Sequence, residues 1–133
     1  MSGATTLSPE IAGAIDEIKA TFGDNCVAVT PDTAGAWVEI DSIDLGSKWA
    51  PGSTWLAFHI ASTYPYADVY PLFIDATCAL TTGGLPPAVT AGAVVPIREG
   101  PCLQVSRKSN RWDPTRDTAT GKALKVIDWL RSA

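Results

Sequence analysis

The chain has 133 residues, a formal net charge of −4 and a sequence pI near 4.7, with 46% hydrophobic and 18% charged residues. That length and balance are typical of one globular domain with a modest core, and they exclude a disordered chain. The acidic surplus argues against nucleic acid as a partner, because proteins that bind its phosphates normally present a basic surface.

A helix is the first predicted element and covers residues 8–22. Ser8 suits the N-cap, Pro9 suits the first helical position, and Gly23 suits the end. Its apolar residues recur at helical spacing: Ile11, Ile15, Ile18 and Phe22.

Four strands are predicted next, over residues 25–30, 37–44, 54–61 and 70–76. Turns about every ten residues separate them and favour an antiparallel meander. A long loop rich in Thr, Gly, Pro and Ala follows over 77–97, with a short strand expected at 94–97. Loops of this length are often functional.

Cys102 is the candidate nucleophile of this sequence. It lies between Gly100-Pro101 and a short apolar run, and we expect a loop that leaves the thiol accessible. Cationic neighbours lower a thiol's pKa, and five basic residues lie close in sequence: Arg98, Arg107, Lys108, Arg111 and Arg116. The other cysteines, Cys26 and Cys78, are interpreted as packing residues.

A final helix is predicted over about residues 117–131, with Asp117 or Thr118 as its N-cap, and Trp112-Asp113-Pro114 precedes it. We expect Trp112 to hold the loop after Cys102 against the core. One sheet with helices at the ends of the chain predicts a single α+β domain of two layers, spanning 1–133 with a core of about 8–131.

The chain is predicted to lie in the cytoplasm. No segment approaches 18 continuous apolar residues, so no transmembrane helix is expected, and residues 1–7 lack the features of a secretory signal. Three widely spaced cysteines do not resemble a disulfide framework. The single histidine, His59, has no ligand-spaced companion, so neither a metal nor a cofactor is expected.

Three ordered motifs together resemble ubiquitin-conjugating enzymes, the UBC-like superfamily. They are Phe58-His59-Ile60-Ala61-Ser62-Thr63-Tyr64-Pro65-Tyr66 with Pro71-Leu72-Phe73-Ile74, then Gly100-Pro101-Cys102-Leu103-Gln104-Val105, then Trp112-Asp113-Pro114. They are similar to the family's third strand, Tyr-Pro turn and proline-led fourth strand, to its Cys-Leu run, and to its Trp-Ser-Pro. The resemblance implies a UBC-like fold: an N-terminal helix, a four-stranded antiparallel meander, a long active-site loop with the cysteine, and a C-terminal helix.

The resemblance also implies a function. The chain would accept a ubiquitin-like modifier as a thioester on Cys102 from an adenylating enzyme and pass it to a target amine. The departures from the family pattern resemble its divergent bacterial branch, where the partners include a deubiquitinase-like protease and some systems defend against phage. It implies no cofactor, no nucleic acid and no membrane partner.

One family feature is missing. The His-Pro-Asn that precedes the cysteine in the family is replaced by a stretch that begins Gly83-Gly84. A donor must still meet the negative charge that develops on the carbonyl oxygen, and Asn110 or Arg107 is the expected replacement. Asp113 or Asp117 is expected to orient or deprotonate the attacking amine.

Two other functional readings stay open. The first is a non-catalytic UBC-variant or RWD-like module that binds a ubiquitin-like protein or another partner, which the missing His-Pro-Asn favours. The second is an unrelated α+β protein whose motifs match by accident. His59 is interpreted as a structural strand residue in preference to a general base.

Overall fold

Helix α1 spans Pro9–Phe22 in the computed structural model, which describes residues 7–133. Ser8 Oγ accepts a hydrogen bond from the Ile11 amide at 3.2 Å and caps the first turn. Gly23 has a φ of +102° and ends the helix, as its position predicts. Residues 1–6, on which most of the secretory-signal prediction rests, lie outside the described residues.

Eight strands follow α1 and form two sheets within the described residues. They are β1 (Val27–Asp32), β2 (Gly35–Asp44), β3 (Trp49–Ala50), β4 (Ser53–Ala61), β5 (Leu72–Ile74), β6 (Ala79–Leu80), β7 (Val89–Ala93) and β8 (Cys102–Val105). Six of them make an antiparallel sheet in the order β1-β2-β4-β5-β8-β7, and β3 pairs with β6 separately.

The predicted α+β class is confirmed, and the four predicted strands correspond to β1, β2, β4 and β5. The predicted four-stranded sheet is too small, because β8 pairs with β5 and β7 pairs with β8. The strand expected at residues 94–97 is also wrong, since β7 ends at Ala93 and Val94 is 74% exposed. In β7, Val89 and Thr90 favour a strand, whereas the Ala-Gly-Ala that follows does not, and pairing with β8 extends the strand to Ala93.

Helix α2 spans Ala119–Ser132, within two residues of the predicted bounds. Thr118, one of the two expected N-caps, accepts a hydrogen bond from the Gly121 amide at 3.0 Å. Both helices pack on one face of the six-stranded sheet. The main core between them includes Ile11, Ile18, Val38, Leu56, Phe58, Leu72, Leu103, Ile127 and Leu130. Side chains alternate along a strand, so the neighbouring positions face the other side.

The opposite face of the sheet carries a smaller apolar cluster. Ala57, Phe73 and Cys102 lie on it, and Val95 covers them from the segment after β7. Trp37 and Trp55 pack at its border. The sheet therefore separates a helix-covered side from a side closed in part by residues 94–101.

The segment between β8 and α2 is tied to the turn after β4. The Trp112 indole N–H donates to the Pro65 carbonyl at 2.6 Å, and Trp112 is half-buried beside Tyr64, with 6.5 Å between ring centroids. The Tyr64 hydroxyl accepts a hydrogen bond from the Ala119 amide at 3.1 Å. The prediction that Trp112 holds this segment is confirmed.

No helix among residues 7–133 combines the length and apolar character needed to cross a bilayer.

Candidate functional site

Cys102 is the first residue of β8 and is 2% exposed. The prediction of an accessible loop thiol is therefore wrong. Cys102 pairs with Ala93 across the sheet, and its side chain packs in the cluster with Ala57, Phe73 and Val95. Strand pairing on both sides of β8 fixes the backbone here, which a Gly-Pro dipeptide before the cysteine does not reveal.

The environment of the thiol favours its protonated form. Burial raises the pKa of the Cys102 thiol, the nearby Asp75 carboxylate raises it further, and the Arg98 guanidinium opposes both. The expected cationic neighbourhood is thus reduced to Arg98. Arg107 and the other basic residues after β8 line different cavities, so the predicted lowering of the thiol pKa is wrong.

A surface cavity of about 250 Å³, here called the Cys102 cavity, borders the thiol. Its walls come from β4, from the residue after β5 and from the segment that leads into β8: Trp55, Asp75, Ile97, Arg98, Glu99, Gly100, Pro101 and Cys102. Five of these eight lining residues come from the segment between Ala93 and Cys102, which has neither helix nor strand structure.

Asp75 is the carboxylate that sequence reasoning missed. Ile74 pairs with Leu103 at the end of β5, so the next residue of the chain, Asp75, arrives beside Cys102. A hydrogen bond from the Thr77 hydroxyl, with further donors around it, lowers the pKa of Asp75, so the group is ionised at neutral pH. This contact depends on the pairing of Ile74 with Leu103, which lie 29 residues apart along the chain. The residues around Asp75 in the sequence therefore do not predict it.

Arg98 provides the cation of the Cys102 cavity. Its Nε donates to Glu39 Oε2 at 2.8 Å, and its guanidinium carbon lies 4.1 Å from the centre of the Trp55 ring. This stacking and pairing hold the guanidinium plane at the border of the cavity. Two of its neighbours, Glu39 and Trp55, come from β2 and β4, so the strands position it although Arg98 itself lies in an irregular segment.

The predicted supporting residues do not line the Cys102 cavity. Arg107 and Asn110 are exposed and line a second cavity, between residues 107–111 and α2, and the Arg107 guanidinium lies 4.7 Å from the Trp129 ring centre. Asp113 accepts hydrogen bonds from the amide and hydroxyl of Thr115, which lower its pKa.

The Asp113 amide in turn donates to Asp117 Oδ2 at 2.8 Å. These two carboxylates therefore organise the turn before α2.

His59 is paired with Asp32 on the sheet face that carries Cys102. Its Nε2 lies 3.1 Å from both carboxylate oxygens, and its ring meets the Trp37 ring edge-on with 5.3 Å between centroids. The hydrogen bond with His59 lowers the pKa of Asp32. His59 thus links β4 to β1 across β2 and does not line the Cys102 cavity. No group of three His, Cys, Asp or Glu side chains among residues 7–133 is arranged to hold a metal ion.

The Cys102 cavity thus combines a thiol, a carboxylate and a guanidinium in one small depression. A thiol forms thioesters, a carboxylate accepts a proton from an amine, and a guanidinium stabilises negative charge on oxygen. No protein-family model, curated protein or solved structure matches this chain.

Proposed function

We propose that this chain is a UBC-like transferase that carries a ubiquitin-like modifier as a thioester on Cys102. The observation that supports the proposal most is that the three motifs shared with ubiquitin-conjugating enzymes contact one another. Trp112 donates to Pro65, and Leu103 pairs with Ile74 in the strand after the Tyr-Pro turn. The contacting positions are up to 47 residues apart along the chain, so tertiary folding brings the motifs together.

The reaction has two steps that Cys102 links. In the first, the Cys102 sulfur attacks the thioester carbonyl of the modifier held by the adenylating enzyme. A new C–S bond forms, the old one breaks, and the proton of Cys102 passes to the departing thiolate. In the second, a target amine attacks the Cys102 thioester, an amide forms, and the thiolate of Cys102 leaves and takes up a proton.

Asp75 and Arg98 fit the two auxiliary roles in these steps. The ionised Asp75 orients the target amine and accepts its proton as the amide forms. Arg98 stabilises the negative charge on the carbonyl oxygen, the role that the sequence assigned to Asn110 or Arg107. Loading also requires the segment 94–101 to move, because Val95 and its neighbours cover the thiol.

A thioester assay tests the proposal. The chain is incubated with ATP, a ubiquitin-like modifier and the adenylating enzyme of that modifier, and the products are separated with and without reducing agent. We expect a species heavier by one modifier that reducing agent removes. Cys102→Ala abolishes it, whereas Cys102→Ser leaves an oxygen ester that survives reducing agent, and Cys26→Ala is the matched control that still forms the thioester.

A second candidate function is a non-catalytic UBC-variant or RWD-like module that binds the modifier or another partner. The observation in its favour is the state of the thiol, which is 2% exposed and has a raised pKa. In the same assay this function gives no heavier species, while binding of the modifier is retained and is the same for Cys102→Ala. Thioester formation that persists in Cys102→Ala contradicts the assignment of the nucleophile.

A further inference from the structure

The cavity between residues 107–111 and α2, here called the basic cavity, has a volume of about 310 Å³ and shares no lining residue with the Cys102 cavity. Five cationic side chains line it against one carboxylate, Asp117: Arg107, Lys108, Arg111, Lys122 and Lys125. The whole chain has ten Lys and Arg residues and a net charge of −4. Half of its basic residues therefore gather around one small depression of an acidic protein.

Two of the five cations are compensated within the protein. The buried Lys122 lies 3.2 Å from both carboxylate oxygens of Asp68, and Lys125 lies 3.9 Å from Asp117. In the part of the chain that the structure describes, Arg107, Lys108 and Arg111 have no carboxylate within 4.0 Å.

Three positive charges in one cavity thus have no internal counter-charge.

The segment that carries these charges is held in place before any ligand arrives. The amide and hydroxyl of Ser109 donate to Asp68 at 2.9 and 3.0 Å, and Lys122 Nζ donates to the Ser109 hydroxyl at 2.8 Å. Arg107 packs on the Trp129 ring of α2. A ligand that binds here has little of the loop left to order, which lowers the entropic cost of binding.

We propose that the basic cavity binds a phosphoryl group, as a phosphate monoester or a diphosphate. Guanidinium groups match phosphoryl oxygens through paired N–H donors, and Arg107 and Arg111 supply two of them. A single carboxylate carries one charge and leaves two of the three cations uncompensated, whereas a compact phosphoryl ligand carries two or more. Extended nucleic acid does not fit this chemistry, because the basic residues end at the rim of one small cavity.

Isothermal titration calorimetry with inorganic pyrophosphate tests the proposal at physiological ionic strength. We expect saturable one-to-one binding that weakens as sodium chloride is added, because exposed charges are screened. A phosphoserine peptide and its unphosphorylated twin are titrated in parallel. Tighter binding of the phosphopeptide assigns a protein-borne phosphate, tighter binding of pyrophosphate assigns a small molecule, and both support the site. Absence of saturable binding of either overturns it.

Two matched double variants locate the site. Lys108→Gln with Arg111→Gln removes two uncompensated cations, and Lys19→Gln with Lys48→Gln removes the same charge at positions that do not line the basic cavity. We expect the first to weaken binding by about tenfold for each lost charge-assisted hydrogen bond, and the second to leave it unchanged. Equal weakening by both overturns the proposal, because it indicates a response to net charge alone.

Amide chemical shifts of the unmodified protein supply a measurement that does not depend on the folding of any variant. Addition of pyrophosphate shifts the amides of residues 107–111 and of the facing turns of α2 if the ligand occupies the basic cavity. Shifts confined to other parts of the chain contradict the assignment. The proposed phosphoryl site in the basic cavity uses no residue of the Cys102 cavity, so its test is independent of the proposed transferase activity.

Discussion

At the scale of single residues, Cys102 illustrates how a strand position changes the chemistry of a side chain. It is buried in a cluster with Val95, Phe73 and Ala57. Burial and Asp75 raise its pKa above the ordinary thiol value of 9.0. The thiol is therefore a poor nucleophile in this arrangement.

The packing of Val95 in the cluster with Cys102 can be tested by shortening the Val95 side chain. We expect Val95→Ala to increase the rate at which iodoacetamide alkylates Cys102, because the substitution leaves a gap above the sulfur, at a cost of about 2 kcal/mol in the free energy of unfolding. Peptide mass spectrometry over a time course measures each cysteine separately. The half-buried Cys26 is the internal control, since its rate stays unchanged. A Cys102 rate that does not respond to Val95→Ala contradicts the assignment of this segment as the cover.

The raised pKa adds a pH dependence to the same experiment. The folded thiol holds its proton to a higher pH than an unfolded one, so alkylation of Cys102 rises with pH and continues to rise beyond 9.0. Denaturant moves the rise to lower pH, because it removes the burial.

At the scale of elements, the turn after β4 and the segment before α2 are held together by few but specific bonds. The Trp112 indole donates to the Pro65 carbonyl, and the Tyr64 hydroxyl accepts from the Ala119 amide at the start of α2. Asp68 forms a salt bridge with Lys122, which lies in α2. These three contacts link residues 64–68 to the C-terminal quarter of the chain. These contacts help to orient α2 against the sheet.

Loss of the Trp112 hydrogen bond is expected to weaken this link. Trp112→Phe keeps an aromatic ring and leaves the Pro65 carbonyl without its indole donor, so we expect a loss of about 1–3 kcal/mol in the free energy of unfolding. Urea unfolding followed by circular dichroism measures it. Trp129→Phe is the matched control, because Trp129 makes no side-chain hydrogen bond within residues 7–133. An equal loss in both variants assigns the effect to ring volume and contradicts the prediction.

At the scale of the whole molecule, the six-stranded sheet keeps two sites apart. The Cys102 cavity lies on the face away from the helices, and the basic cavity lies beside α2. Charge follows the same division, since the cations after β8 collect on the helix side, whereas Asp75 and the Arg98–Glu39 pair lie on the other. Ligands at the two cavities therefore do not compete for the same residues.

The acidic side chains determine how stability depends on pH. Hydrogen bonds to Asp32, Asp75 and Asp113 lower the pKa of each below 3.8 in the folded chain. The unfolded chain then takes up protons at a higher pH than the folded chain, so stability is lost as the pH falls through the folded values. Urea midpoints measured from neutral pH to below 3.8 check this. We expect Asp32→Asn to reduce the loss of stability between neutral and acidic pH. An unchanged loss contradicts the role of the His59 contact.

Sequence reasoning succeeded where a signal is local. Ser8-Pro9 predicts the start of α1 and Gly23 predicts its end, because each signal depends on neighbouring residues alone. The four longest predicted strands each contain an alternation of apolar and polar residues or an apolar run. It failed at β7, whose Ala-Gly-Ala end has weak β-propensity, and at Cys102, whose accessibility depends on Val95 and on a register set by β5. Arg107 and Asn110 follow Cys102 closely along the chain, yet they line another cavity because β8 carries the chain away from the thiol.

By itself, the sequence determined the α+β class, both helices, the places of β1, β2, β4 and β5 and the ordered motifs around Cys102. Capping, turn chemistry and periodicity act over a few neighbouring residues, so these features can be predicted locally. Only the tertiary structure decided which side chains surround the thiol. Asp75 joins Cys102, and Lys122 joins Asp68 and Ser109, through pairings between distant parts of the chain. Burial and the pKa of a buried group are properties of such assembled neighbours, so no stretch of residues read alone contains them.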